Sequence, residues 1–413
     1  MAGQVRARRR PSDSSSRVRE SRPRLKLDEL APLFLTIELE QHKDDIYVRM
    51  SSNRVSVSIG RIKTSLGINN LNEDFREIVQ VASRSKTMRK SCFRSLANIG
   101  FDLFTRIFSH TKLIEEQIHT HIEMDVIGVK RNDPETFQIG AFQPARILVV
   151  TNGINIPWEL LYSKNPADFD LDGAPGEIDP QFFLGSNFVF QKHLVQIPSR
   201  ASWEKRIGSN QGVSVFGDDR LRYAIEREIP AIENLFVSDG RRFEFPEAIP
   251  SGGGVRPKEN LDYLLADKIN AISEPILHFA CHAVVEHGRA RIRVRDNYFQ
   301  EERPLRRQLQ EAGSRSFVFL NACELALTRC RDNCGLVTAF LEKGYLGVIA
   351  TEIPVRDEQA SRFAVLVYEY FLNRQNRSLL SAVFFARQTL LEEDESLVGY
   401  TYATYGSWDL IRS

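Results

Sequence analysis

The sequence predicts an α/β fold in which short buried strands alternate with helices and form a mostly parallel sheet between two helical layers. From residue 146 onward, apolar runs of four residues, such as 147–150 and 317–320, alternate with segments of helical periodicity. Strands that are buried on both faces have this continuous apolar character, and intervening helices give parallel connections. No internal repeat is visible, which argues against a solenoid.

The elements of this α/β region follow one another with little interruption. Asp, Pro and Gly are frequent in 163–180, which is typical of a surface loop. Periodicity and turn signals define the remaining segments. Strands are predicted at 147–150, 213–216, 242–245, 276–280, 291–294, 317–320, 348–351 and 408–411, and helices at 221–236, 259–268, 305–312, 336–343, 359–373 and 379–392.

The N-terminal part differs in pattern. Strands are predicted at 33–38, 46–50 and 54–60, with a hairpin turn at 51–53, and a helical pattern runs from 72 to 122 with a break near 109–111. We therefore predict three parts: a basic tail over 1–26, an accessory domain of a β-hairpin and helices over 27–140, and an α/β domain over 141–413.

Composition places the chain among ordinary globular proteins. It has 413 residues, of which 42% are hydrophobic and 26% charged, with a net charge of +1. Residues 1–26 hold nine Lys/Arg against two acidic residues and almost no large apolar residue, so this tail is expected to be disordered. It can attract polyanions weakly, but it lacks the interleaved aromatics of sequence-specific nucleic-acid binding. No apolar run is long enough to span a membrane.

The five cysteines are too few for a disulfide framework in a chain of this length, and they fit a reducing cytoplasm. A metal site is the competing interpretation of the His/Cys content. Cys330 and Cys334 have a spacing that zinc tolerates, but no tandem pair accompanies them. No cofactor is predicted, because Gly252–Gly254 lacks the spacing of a phosphate-binding loop. The residues considered for metal are His278, Cys281, His282, His287, Cys323, Cys330 and Cys334.

Two predicted strands lead into reactive side chains. The strand at 276–280 leads into His282, and the strand at 317–320 leads into Cys323. Functional groups in such sheets collect beyond the carboxyl ends of the strands, so neighbouring parallel strands would bring the imidazole and the thiol together. A histidine beside a thiol can accept its proton and later protonate a leaving group. Each residue alone is also compatible with core packing.

Two sequence blocks resemble the signature blocks of CHAT domains, which are caspase-like peptidases related to separase. They are His-Phe-Ala-Cys-His at 278–282 and Leu-Asn-Ala-Cys-Glu at 320–324. The likeness continues in Ile-Pro-Trp-Glu-Leu-Leu at 156–161, Gly-Tyr-Leu-Gly-Val-Ile-Ala-Thr at 344–351 and Ile-Pro-Val-Arg-Asp at 353–357. It covers about 145–413, and it implies a caspase-like α/β/α sandwich.

The resemblance implies roles for individual residues. Cys323 would be the nucleophile and His282 the general base and acid, with the backbone N–H groups of Cys323 and Ala283 forming the oxyanion hole. The family usually has Gly where this chain has Ala283. If this position required a positive φ, the Cβ would strain the backbone and misdirect the donor. Ile353 replaces a common Trp and is expected to alter packing only.

The resemblance also places Asp357 in the pocket for the P1 side chain, where a carboxylate favours Arg or Lys. The alternative is that Asp357 caps the helix that follows it. Glu324 and Glu352 are further acidic candidates for the pocket. His278 lies on the same strand face as His282, either supporting it or serving as a hydrogen-bonded core residue.

The implied function is that of a cysteine endopeptidase that cleaves protein substrates after a basic residue. By the same resemblance, a protein partner or ligand would activate it in a bacterial defence or cell-death circuit, with 27–140 as the receiving surface. The alternative is an inactive CHAT-like scaffold or partner-binding module. Ala283 favours that alternative, and the presence of both His282 and Cys323 argues against it.

Overall fold

The computed structural model describes most of the chain from residue 33 onward. All structural statements below concern these residues, which are 33–42, 45–52, 58–62, 77, 90–108, 111–127, 144–151, 156–170, 175–195, 204–218, 220–245, 258–286, 289–295, 298–313, 317–322, 335–353, 355–372, 378–406 and 409–412. The basic tail over 1–26 lies outside them.

Fifteen strands are present in this part of the chain. They are β1 (Leu33–His42), β2 (Asp45–Ser52), β3 (Ser58–Ile62), β4 (Ala145–Thr151), β5 (Phe188–Leu194), β6 (Glu204–Ile207), β7 (Val213–Gly217), β8 (Phe243–Glu244), β9 (Ile276–Glu286), β10 (Arg289–Arg295), β11 (Tyr298–Glu301), β12 (Phe317–Ala322), β13 (Gly347–Thr351), β14 (Tyr402–Gly406) and β15 (Asp409–Arg412).

Eight α-helices accompany the strands in the same described residues. They are α1 (Phe93–Phe108), α2 (Lys112–Thr120), α3 (Ile229–Ser238), α4 (Lys258–Ala271), α5 (Glu302–Gln308), α6 (Gly335–Glu342), α7 (Asp357–Leu372) and α8 (Leu379–Asp394). A π-helical turn, Ala224–Glu228, leads directly into α3.

The strands form one large mixed sheet in the order β11-β10-β9-β12-β13-β14-β5-β4-β1-β2-β3, and β7 pairs with β9 and β8. The central pairs β7–β9, β9–β12 and β12–β13 are parallel. β14 enters antiparallel to β13 and then pairs with β5 in parallel. β15 and β6 form a separate small sheet. The carboxyl ends of β7, β9, β12 and β13 therefore lie along one edge, where functional groups collect in such folds.

Helices cover both faces of the central strands. On one face, α3 and α7 contribute Phe236 and Phe363 to the core that contains Phe319 of β12. On the other face, Leu265 of α4 and Phe340 of α6 pack in a second core. The fold class predicted from the sequence is therefore confirmed.

The N-terminal strands continue this sheet, because β1 pairs in parallel with β4. The predicted helical region contains α1 and α2, and the break between them falls where it was expected, just before Lys112. Gly100 allows α1 to contact the turn at 158–162, because a Cβ on Gly100 would lie 2.3 Å from the Leu160 carbonyl oxygen. The division into domains at residue 140 stays a prediction, but the strands on its two sides are hydrogen-bonded neighbours.

Two central strands were missed from the sequence. β5 carries Gln191 and Lys192, which look solvent-facing but are each 2% exposed. β14 ends at Gly406, whose φ of +111° resembles a turn signal. Gly406 is required there, since a Cβ would lie 2.2 Å from the Leu346 carbonyl oxygen. Polar residues and a glycine thus interrupted the apolar runs by which buried strands are recognised. Among the described helices, none has the length and apolar character needed to cross a membrane.

Candidate active site

His282 lies on β9 at the point where the strand changes partners. Up to Ala280, β9 pairs with β7, and from His282 to Glu286 it pairs with β10, with His282 opposite Arg293. The strand therefore extends beyond the expected end before His282. The imidazole is half-buried, and its Nδ1 is buried without a hydrogen-bond partner among the described residues.

The neighbouring strand β12 ends at Ala322, the residue before Cys323. Asn321 pairs with Ala280 and Ala322 pairs with Cys281 in parallel register. Cys323 itself lies outside the described residues, as do Glu324, Cys330 and Cys334. What the structure fixes is the pair of strands that leads to His282 and Cys323.

Asp218 directly follows β7 and is fully buried. Its Oδ2 accepts a hydrogen bond from the His282 backbone N–H at 3.3 Å and from Arg293 Nε at 2.6 Å. Its Oδ1 accepts the Arg220 N–H at 3.1 Å. Asp218 was missed from the sequence, although its place beyond the end of a predicted strand was an available signal.

Ala283 continues β9 in register with Ile292 and is 2% exposed. Among the described non-glycine residues, only Glu395 has a positive φ. Ala283 is thus in ordinary strand conformation, and the expected strain from its Cβ does not arise. Successive N–H groups of a strand point to opposite edges. Since the His282 N–H points to Asp218 on the β7 side, the Ala283 N–H is directed to the β12 side.

Asp357 is the first residue of α7, but its carboxylate binds a different helix. Oδ2 accepts the Tyr223 N–H at 2.8 Å, at the start of the helical segment that leads into α3. Burial is the main cause that raises the pKa of Asp357, with the negative charges of Glu228 and Asp218 adding to it and backbone hydrogen bonds opposing it. A nearby cation would therefore stabilise this carboxylate more than it would stabilise a carboxylate in water.

A narrow cleft opens at the carboxyl ends of β9, β12 and β13. Two acidic residues, Glu228 and Asp357, line it from the helical side. The remaining lining residues come from the strand ends and the loop before α7. They are Leu221, Ala280, Cys281, Asn321, Thr351, Val355 and Ala360.

Glu228, on the π-helical turn, was also missed. It is 1% exposed, and its carboxylate accepts hydrogen bonds from Asn321 Nδ2 at 2.6 Å, Ser361 Oγ at 2.7 Å and His278 Nε2 at 2.8 Å. Insertions of this helical type are frequent at functional sites. A glutamate in a helix gives no sequence signal of burial, since most are exposed.

His278 is fully buried and hydrogen-bonded at both ring nitrogens, which agrees with its interpretation as a core histidine. Burial, followed by the charge of Glu228, raises the pKa of Tyr368 well above its usual value. Tyr368 therefore keeps its proton, and its hydroxyl is hydrogen-bonded to Nδ1 at 3.2 Å. Nε2 is hydrogen-bonded to the Glu228 carboxylate at 2.8 Å. His278 thus helps to hold the Glu228 side chain in place, and Glu228 in turn lines the cleft.

Glu352 does not line the cleft. Its carboxylate binds the ammonium group of Lys192 and accepts the Tyr405 hydroxyl at 2.7 Å. Ile353, the other departure from the family pattern, is buried in the core.

Within the described residues, no group of three His, Cys, Asp or Glu side chains is placed to hold a metal ion. His287, Cys323, Cys330 and Cys334 lie outside that search. The described Cys281 side chain belongs to the core on the α4–α6 side of the sheet. His278 faces the α3–α7 side through Glu228 and Tyr368. The two side chains are therefore on opposite faces.

Comparison with known proteins gives a family for the α/β region. The family model of the CHAT domain matches residues 155–403. No curated protein matches the sequence. A chain of the Saccharomyces cerevisiae separase–securin complex is similar, with a TM-score of 0.48 and 11% identity over 94% of this chain and 31% of that chain.

Porphyromonas gingivalis RgpB, in a complex of its pro- and mature domains, is also similar. Its TM-score is 0.43 at 12% identity, over 72% of this chain and 69% of that chain. The chain thus spans 31% of the separase chain that it matches.

Proposed function

Because the chain belongs to the CHAT domain family, we propose that it is a cysteine endopeptidase in which Cys323 is the nucleophile and His282 is the general base and acid. The observation that carries this proposal is the β9–β12 register. Asn321 is opposite Ala280, and Ala322 is opposite Cys281. If the same register continued by one residue, Cys323 would lie opposite His282.

The side-chain alternation of the two strands supports the same pairing. His278 and Asn321 both bind Glu228, so they lie on the α3–α7 face of the sheet. His282 is four residues beyond His278, and Cys323 is two residues beyond Asn321. Because side chains alternate with a period of two, His282 and Cys323 are expected on that same face.

The reaction follows from these two groups. A cysteine thiol has an ordinary pKa of about 8.5, so a neighbouring base is needed to form the thiolate at neutral pH. His282 takes the thiol proton, and Sγ bonds to the carbonyl carbon of the scissile peptide. His282 then protonates the leaving amine as the C–N bond breaks, which leaves a thioester. Water, deprotonated by His282, adds to the thioester, and the thiol leaves with that proton.

The oxyanion hole is proposed to include the Ala283 N–H. The extended conformation of Ala283 directs this N–H to the β12 side, where Cys323 follows Ala322. The Cys323 N–H is the second proposed donor. Donors fixed in advance at this position stabilise the negative charge that develops on the carbonyl oxygen. With no positive φ at Ala283, the main argument for an inactive scaffold is removed.

The cleft is proposed to bind a basic P1 side chain. Asp357 and Glu228 both line it, and the raised pKa of Asp357 marks a poorly solvated carboxylate. A guanidinium can pair with such a carboxylate through two parallel hydrogen bonds. Glu228 already accepts three hydrogen bonds, so Asp357 is the group proposed to contact the substrate.

Control by a protein partner or ligand, in a bacterial defence or cell-death circuit, is part of the same proposal. Its support is the resemblance of the sequence blocks to CHAT peptidases. A cytoplasmic location is also proposed, because five cysteines are too few for a disulfide framework in a chain of this length. Because a partner or ligand is proposed to control the protein, activity is to be measured with and without cell extract.

The test uses the full chain and a mixed peptide library, with cleavage products identified by sequencing. We expect cleavage after Arg or Lys by the wild type and by Cys92→Ala, a control at a buried cysteine that lies outside the family match at residues 155–403. Cys323→Ala and His282→Ala should lose this cleavage. Equal cleavage by wild type and Cys323→Ala would remove the nucleophile from the proposal. No cleavage in either condition would favour the scaffold alternative.

A further inference from the structure

A buried carboxylate lies where β9 exchanges one partner strand for another. β7 ends at Gly217, opposite Ala280, and the next backbone N–H, that of Asp218, donates to the Ala280 carbonyl oxygen at 2.9 Å. β10 begins to pair with β9 at His282, opposite Arg293. His282 thus lies at the junction of the two ladders.

The Asp218 side chain provides the acceptor at this junction. Oδ2 accepts the His282 N–H at 3.3 Å and the Arg293 Nε–H at 2.6 Å. The two donors belong to residues directly opposite each other in the β9–β10 register. A carboxylate in this position does what a backbone carbonyl of β7 would do if that strand continued.

Arg293 makes the buried charge of Asp218 tolerable. The Asp218 side chain is 0% exposed and that of Arg293 is 13% exposed, and an unpaired carboxylate at this depth would strongly destabilise the fold. The Arg220 backbone N–H donates a further hydrogen bond to the other carboxylate oxygen, Oδ1, at 3.1 Å. The pair therefore holds β7, β9 and β10 together at one residue, His282.

We propose that Asp218, held by Arg293, is a positioning residue for the active site. By fixing the His282 N–H on the β7 side, it sets both the backbone from which the imidazole projects and the direction of the next N–H, that of Ala283. The inference rests on the proposed peptidase function. Neither Asp218 nor Arg293 contacts the reacting atoms in this proposal, so their loss should act on catalysis rather than on substrate affinity.

The experiment compares Asp218→Asn, Asp218→Ala, Arg293→Gln and Arg293→Lys in the full chain. The control is Asp239→Ala, since Asp239 likewise forms ion pairs with arginine, with Arg241 Nε at 2.7 Å and Arg412 Nη2 at 2.6 Å, but lies at the end of α3. The activity readout is kcat and KM on a peptide with P1 Arg. The second readout is the exchange rate of the His282 amide in ¹⁵N-histidine-labelled protein, assigned with His282→Gln.

We expect Asp218→Ala and Arg293→Gln to lower kcat roughly 10- to 100-fold with KM within about twofold, because small displacements of catalytic groups cost this much. Arg293→Lys should restore most of kcat. The His282 amide should exchange at least tenfold faster in Asp218→Ala, with a smaller effect in Asp218→Asn. Asp239→Ala should leave kcat and this amide unchanged.

The outcomes separate the two proposals. If wild type cleaves, Cys323→Ala does not, and Asp218→Ala keeps the wild-type kcat, the positioning role is overturned and the peptidase function stands. If no cleavage is found in wild type, the function fails, and the His282 amide still decides whether Asp218 holds it. Should Asp218→Ala fail to fold, Arg293→Gln decides, and an unchanged kcat in that variant rejects the proposal.

Discussion

Lys192 on β5 and Glu352, directly after β13, form an ion pair in which each side chain is 2% exposed. Lys192 also donates to the Ile156 carbonyl oxygen at 3.1 Å. Glu352 begins the loop that leads to Asp357, and its backbone N–H donates to the Thr401 carbonyl oxygen at 2.7 Å. The ion pair therefore fixes Glu352, at the start of the segment that leads to Asp357, to a lysine in the middle of the sheet.

Replacing Lys192 by Met should lower the free energy of unfolding by about 3–5 kcal/mol, because it leaves the Glu352 carboxylate buried without its counter-charge. The double variant Lys192→Met, Glu352→Leu should recover much of this loss. Urea denaturation followed by circular dichroism measures both. The exposed pair of Arg49 and Glu38 gives the control, and Arg49→Ala should cause no resolvable change. A double variant as unstable as the single one would contradict this account.

Asp357→Asn should reduce the preference for a basic P1 residue. The variant keeps an oxygen for the Tyr223 N–H but loses the charge that pairs with the substrate, so kcat/KM for a P1 Arg peptide should fall about 100-fold. Cleavage of a matched P1 Gln peptide should change little. The control is Glu226→Gln, since Glu226 is an exposed acidic residue on the π-helical turn that follows Tyr223. An unaltered Arg-to-Gln ratio would exclude Asp357 from the pocket.

The same residue gives a pH dependence of stability. The folded pKa of Asp357 is raised, chiefly by burial, so the folded state holds its proton more tightly than the unfolded chain does. Stability from this group is therefore lost as pH rises from the ordinary aspartate range, about 4, through the raised folded pKa. Asp357→Asn should gain stability relative to wild type over that interval and show no relative gain below it. Thermal unfolding of both proteins across this interval measures the difference, and a constant difference would refute it.

Tyr402→Phe should destabilise the fold by about 1–3 kcal/mol, because the Tyr402 hydroxyl donates to Asn321 Oδ1 at 2.6 Å in a buried position and its loss leaves that oxygen unsatisfied. Asn321 is the last residue but one of β12 and lies two positions before the proposed nucleophile Cys323, so the change is also expected to lower kcat. The comparison is Tyr370→Phe, whose half-buried hydroxyl bonds Thr389 at 2.8 Å. Equal effects of the two substitutions in urea denaturation would argue against a special role for Tyr402.

The central strands could be predicted because each is a short apolar run buried on both faces, and their order along the chain suffices to bring the ends of β9 and β12 together. The placement of His282 next to the end of β12 follows from that topology. The strand predicted at 291–294 lies within β10, but the extension of β9 through His282 to Glu286, where it pairs with β10, was missed.

Glu228 could not be predicted for a different reason. A charged residue is expected at the surface unless its partners are known, and the donors that satisfy Glu228 come from positions 50, 93 and 133 residues away. Asp357 was recognised as acidic and well placed, but its bond to Tyr223 spans 134 residues. Local patterns define strands and helices, whereas the partners of buried charges are set by tertiary packing.

The pairing of β4 with β5 limits how the protein can be shortened. The family match begins at residue 155, whereas β4 ends at Thr151 and pairs with β5 along its whole length, from Ala145 opposite Phe188 to Thr151 opposite Leu194. A fragment cut at the family boundary would carry a long, apolar, unpaired strand edge, which is a template for aggregation. Preparations of this protein should therefore retain the strands that precede residue 155.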